Sequence, residues 1–155
     1  MIMLTRIKAK LGFSTLMRLL HFYPPLMGAG VRIRIMDPTH MVVKVSMPLR
    51  FYNQNMFGSH YGGSIFSMCD PFVPLILFYK LGKKYRVRDK HTEIQFLKPG
   101  RGVIHSTFQV DDSSVQEIES NIKKEGKAEP VFVLEVKDQE NEVVARIKKT
   151  IWIKP

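Results

Sequence analysis

Apolar residues return along this chain with two different periods, and the switches between them divide it into elements. Leu4, Ile7 and Leu11, then Phe13, Leu16, Met17 and Leu20, fall three to four positions apart. That spacing predicts an amphipathic helix over residues 1–24 that packs its apolar stripe on the rest of the chain. Pro24-Pro25 and the glycines at 28 and 30 end this helix and start an extended region. Residues 31–36 and 41–47 read as strands around the turn Asp37-Pro38-Thr39; in the second, Val43, Val45 and Met47 alternate with Lys44 and Ser46. Residues 48–61 form a loop dense in Asn, Gly and aromatic side chains. From Gly62 to about Leu81 the pattern is continuously apolar and closed by Gly82, which predicts one buried helix.

Four further strands follow. Residues 92–97 and 103–110 flank Lys98-Pro99-Gly100-Arg101-Gly102, a composition that suits a tight turn. Residues 130–137 and 143–153 flank a second polar turn over 138–141. Between the two pairs, Ser113 or Ser114 caps a short amphipathic helix that ends near Gly126. Two hairpins after one long helix argue for an antiparallel α+β domain spanning residues 1–155, with no repeat and no linker.

Composition narrows the function classes. The profile of 45% apolar and 25% charged residues is that of a globular chain. The single cysteine, Cys69, excludes an internal disulfide framework and a Cys-based zinc site, and allows a reducing compartment; we expect a cytoplasmic protein. The apolar run over 65–79 contains Asp70, Pro71 and Pro74 and is shorter than the roughly 20 residues of a spanning helix, so no stable membrane insertion is expected. An acid-free, basic start to the chain is also the composition of a transit peptide or an interfacial helix. The net charge of +10 favours anionic partners. Lys123-Lys124 and Arg146, Lys148 and Lys149 read as solvated faces rather than a nucleic-acid surface, and no nucleic-acid-binding motif is present. The five histidines show no metal-ligand spacing.

The chemistry concentrates in residues 55–71. Gly62-Gly63 opens an apolar helix, where free backbone N–H groups, backed by the helix dipole, can polarise a carbonyl or hold an oxyanion; the same pair also serves a sharp turn. Asp70 lies within the apolar helix on the face of Phe66 and Leu77. A carboxylate there must be hydrogen-bonded, paired or used, and desolvation would make it a better base. A structural partnership with a backbone donor or an arginine is the competing explanation. Pro71 and Pro74 remove helical donors beside it, so a kink near the acid is expected. Positions 62 and 70 are separated by roughly 12 Å of helical rise. One carbonyl cannot easily touch both groups of one chain, so joint action requires two protomers.

Asn55-x-x-Gly58-x-x-x-Gly62-Gly63 followed by Asp70 resembles the signature of hotdog-fold acyl-CoA thioesterases of the phenylacetate-pathway type. The Asp89-Lys90 start of the third strand, Phe96–Gly102 and Val143–Thr150 are similar to the subgroup known as DUF4442. The resemblance implies a curved antiparallel sheet wrapped around a long central helix, in homodimers or dimers of dimers, to which the apolar spacing adds an extra N-terminal helix. It implies that Gly62 presents its amide to the thioester carbonyl. Asp70 of the partner chain would then act as general base or nucleophile, and Asn55 would position water or the carbonyl. Gly63, Tyr61 and His60 would border the substrate, and Lys98 and Arg101 would meet the phosphates of coenzyme A, which enters as part of the substrate with no other cofactor and no metal. Many relatives carry His immediately before the glycine pair, where this chain has Tyr61 with His60 one position earlier; a Ser or Thr on the third strand of some relatives falls near Asp89. The same features fit a non-catalytic protein that holds acyl-CoA or a fatty acyl chain without turnover.

Overall fold

A computed structural model describes residues 11–155; the candidate stripe residues Leu4 and Ile7 lie outside them. The chain runs α1 (Phe13–Leu19), a 3-10 turn (Leu20–Phe22), α2 (Pro24–Ala29), β1 (Arg32–Asp37), β2 (Val42–Pro48), α3 (Gly62–Cys69), α4 (Phe72–Leu81), β3 (Arg86–Phe96), β4 (Val103–Phe108), α5 (Asp112–Glu125), β5 (Val131–Lys137) and β6 (Val143–Lys154). Six strands form one sheet in the order β1-β2-β4-β5-β6-β3, and every pair is antiparallel. The α+β expectation holds.

Strand alternation builds the core. Val43, Val45 and Met47 of β2, Ile104 and Phe108 of β4, Val136 of β5, and Ile147, Ile151 and Ile153 of β6 are buried against Ile65, Met68, Phe72, Val73, Ile76 and Leu77 of the helices. Each such side chain withdrawn from water contributes about 1.5–3 kcal/mol. Phe72 and Phe108 lock helix to sheet, with ring centroids 4.9 Å apart. The stretch Gly62–Leu81 is long and apolar enough to cross a membrane, yet more than half of it is buried inside the fold.

Several sequence expectations need correction. Pro24 and Pro25 do not start an extended region: they occupy the first turn of α2, where the missing N–H costs nothing. The helical N-terminal region is therefore broken before residue 24. α1 nonetheless packs as expected, with Phe13 and Met17 buried and the Tyr79 hydroxyl donating to the Leu11 carbonyl at 2.8 Å. The strand expected over 92–97 begins at Arg86. It does not pair with β4: β3 lies beside β6 at one edge of the sheet, and the Lys98–Gly102 segment crosses to the interior strand β4. The last helix starts at Asp112, with Asp111 rather than Ser113 or Ser114 at its N-cap. The single long helix is two, interrupted at Asp70-Pro71.

Candidate active site

The loop before α3 is organised by two asparagines. Asn53 is wholly buried; its Oδ1 accepts the Arg50 N–H at 2.7 Å, and its Nδ2 donates to the Ala29 and Pro48 carbonyls at 2.9 and 3.0 Å. Asn55 Oδ1 accepts the N–H groups of Phe57 and Ser59 at 2.9 and 3.1 Å, while its Nδ2 donates to Ser59 Oγ at 2.9 Å and to the His60 carbonyl at 3.4 Å. This bonding spends the Asn55 amide on shaping the loop, including the left-handed turn at Gly58. The chain then enters α3 through Tyr61, whose carbonyl accepts from Ser64 and Ile65 at 3.0 and 3.1 Å. The N–H groups of Gly62 and Gly63 make no hydrogen bond among the described residues, as the first amides of a helix do not. A Cβ at Gly62 would stand 2.9 Å from the Phe96 ring, so glycine allows close approach there.

Beside these amides lies a cavity of about 420 Å³ lined by Asn55, Ser59, His60, Gly62, Ile65 and residues 96–100. His60 is buried. Its Nε2 donates to the Gly102 carbonyl at 3.2 Å, and its Nδ1 has no partner among the described residues. Burial holds the imidazole below its ordinary pKa of 6.5. Lys98 borders the cavity, but its ammonium is bound to Asp138 at 2.7 Å and lies 3.9 Å from Glu142. That pairing competes with the phosphate contact expected of it. Arg101 is exposed and forms no ion pair among the described residues. Tyr61 is exposed, as is Gly63.

Asp70 sits elsewhere. It shares a tight cleft with Phe66, Cys69, Thr92, Ile147 and Lys149. Its side chain is 49% exposed, so the desolvated carboxylate expected from the apolar sequence around it is not what the fold provides. The interruption of the helix is local: Asp70 N–H turns to the Ser67 carbonyl at 3.3 Å, and Leu75 N–H to the Pro71 carbonyl at 3.2 Å. Cys69 faces the core, and burial pushes its thiol up to about 12, far from a nucleophile's range.

Lys149, expected on a solvated face, has a fully buried side chain. Its Nζ lies 2.6 Å from the Asp70 carbonyl oxygen, 2.8 Å from Asp89 Oδ1 and 3.5 Å from Asp70 Oδ1. Alternation in β6 places Lys149 between Ile147 and Ile151 on the core face, so the strand's own period carried this signal. The partner of Asp70 is thus a lysine rather than an arginine or a backbone donor. The fold brings Asn55, His60, Gly62 and Lys98 to one cavity and leaves Asp70 apart from it in a tight cleft.

Residues 10–153 match the model of a domain of unknown function, DUF4442. The chain belongs to the DUF4442 family. No functionally curated protein matches it. The DUF4442 chain is similar in structure to PA5026 of Pseudomonas aeruginosa, described as a protein of unknown function and probable thioesterase, with a TM-score of 0.80 and 22% identity over 93% of this chain and 96% of that one. A Chlorobaculum tepidum protein of unknown function, OLEI01261, gives 0.73 and 14% over 92% and 94%. The thioesterase HI1161 of Haemophilus influenzae gives 0.67 and 14% over 94% and 92%. These likenesses show the hotdog fold, with the sheet around α3 and α4.

Proposed function

We propose that this DUF4442 protein hydrolyses an acyl thioester, acyl-CoA or a related one, at a site completed by two protomers. The observation that carries the reading is the separation of the two groups: the unbonded Gly62 amide lines the cavity, and a half-exposed carboxylate sits apart from it in a tight cleft. In a homodimer the Gly62 N–H of one protomer would donate to the thioester carbonyl oxygen, and Asp70 of its partner would take a proton from the attacking water. The oxyanion then rests on the amide, the C–S bond breaks, and the thiolate leaves with the proton returned from Asp70. Asn55 acts chiefly by holding the loop that presents Gly62; Arg101, with Lys98 once its acids are displaced, would meet the coenzyme A phosphates.

Pairing is supported by β3, which ends the sheet with eleven residues and one edge unpaired among the described residues. The thioesterase descriptions of two of the structural relatives favour the same chemistry. Thiol release from a panel of acyl-CoAs tests it: Asp70→Asn is expected to lose on the order of 10²–10⁴-fold in kcat. Equal rates in the two proteins would remove Asp70 from the mechanism.

A second reading, an acyl-CoA binder without turnover, is favoured by the Lys149 ammonium beside Asp70, which competes with a water for the carboxylate. Saturable acyl-CoA binding with no thiol released at any chain length would select it.

A further inference from the structure

We propose that Lys149, braced by Asp89, is the positioning residue that fixes Asp70 for its role as base; this rests on the thioesterase reading above. The reasoning begins with the prolines. In an unbroken helix the carbonyl of Asp70 would accept from the amide of residue 74, and Pro74 has none. That carbonyl is filled instead by Lys149 Nζ at 2.6 Å. An ammonium at the core face of β6 costs several kcal/mol unless each of its donors is met. The three donors have three acceptors within reach: the Asp70 carbonyl, Asp89 Oδ1 at 2.8 Å and Asp70 Oδ1 at 3.5 Å.

Asp89 reaches the lysine because β3 slips register between Asp89 and His91 against β6, a bulge that re-aims one side chain. Main chain and carboxylate of Asp70 are therefore held by one cation on a neighbouring strand. Asp70 Oδ2 makes no hydrogen bond among the described residues, which leaves it for a water. A solvated lysine elsewhere on the strand could do none of this. The geometry is that of a support for the acid rather than of core packing.

The test uses the full chain and thiol release from the acyl-CoA panel, with thermal melting run in parallel. Lys149→Met keeps the apolar stem and removes the ammonium. It is expected to melt cooperatively and to lose on the order of 10²-fold in kcat, the cost of misplacing a reacting group, with KM within about threefold. In Lys149→Ala, added n-propylammonium is expected to restore activity and 1-propanol to restore none. Asp89→Asn leaves the lysine in place and is expected to lose kcat in the same direction, by less. Wild-type kcat in Lys149→Met or in Asp89→Asn would overturn the proposal. Equal rescue by propanol would overturn it too, since the positive charge would then be dispensable. If Asp70→Asn is slow while Lys149→Met is fast, this inference falls and the thioesterase reading stands. If the wild-type chain releases no thiol, both fall.

Discussion

The surroundings of Gly62 and of Asp70 are built by opposite means. Around Gly62 the work is done by backbone and neutral amides: Asn53 and Asn55 together make seven hydrogen bonds from their side chains, six of them to main chain, and the feature presented to the cavity is the bare N–H end of α3 at Gly62. Around Asp70 the work is done by formal charge, with one buried ammonium holding two carboxylates and a carbonyl freed by proline. The Gly62 cavity is a shape that waits for negative charge. The Asp70 cleft carries negative charge already and needs a cation to keep it oriented. A thioester hydrolase requires both, one for the oxyanion and one for the water, and the chain has placed them apart.

The sharpest way to break this comparison is to separate the halves genetically. Gly62→Val and Asp70→Asn proteins should each be nearly inactive alone. Mixed after co-refolding, they should recover roughly one quarter of wild-type thiol release, because half of the dimers are then hybrids with one intact site. No recovery in verified hybrids would place both groups in the same protomer's site.

The next effect is on stability. Asn55→Ala strips four side-chain hydrogen bonds from the loop. At about 0.5–1.5 kcal/mol net for each bond, and with some groups re-bonding to water, chemical denaturation should show a loss of about 2–3 kcal/mol. An unchanged denaturation midpoint would mean that the Gly62 hollow keeps its shape without this amide.

The smallest effect is acid-dependent and belongs to the same hollow. Burial lowers the pKa of His60 in the folded chain, so the unfolded chain binds that proton more readily. The stability so gained is complete above the ordinary value of 6.5 and is lost as pH falls through the lowered folded value. Denaturation midpoints of the wild type should therefore drop between about pH 7 and pH 5 more steeply than those of His60→Gln. Parallel curves would show that the imidazole is not carrying this dependence.

What the sequence made legible follows the same division. Gly62, Gly63 and the helix they open were found because glycine pairs and apolar runs are local signals. β2, β5 and β6 were found because one face of each meets the core. The true start of β3 was hidden, since Arg86, Arg88, Asp89, Lys90 and His91 stand on an edge strand exposed along most of its length, and a strand without a buried face has no apolar alternation to show. Pro24-Pro25 misled because the same dipeptide that ends a helix also fits the first turn of the next. The exposure of Asp70 could not be read from its apolar neighbours in sequence, because it is set by residues distant in the chain, Thr92, Ile147 and Lys149, that border its cleft. Lys149 was legible in principle: the β6 period puts it on the face of Ala145, Ile147, Ile151 and Ile153, but reading it with Arg146 and Lys148 as one basic run hid the face it points to.

One pairing in the sheet carries a mechanical consequence. β4 and β5 share a single ladder position, His105 with Lys137, whereas β2 and β4 share six. The sheet is thus two three-stranded leaves joined at one rung, with α3 and α4 as the spine that both leaves clasp. Within the sheet, deuterium should enter faster along that seam than along the rungs of either leaf.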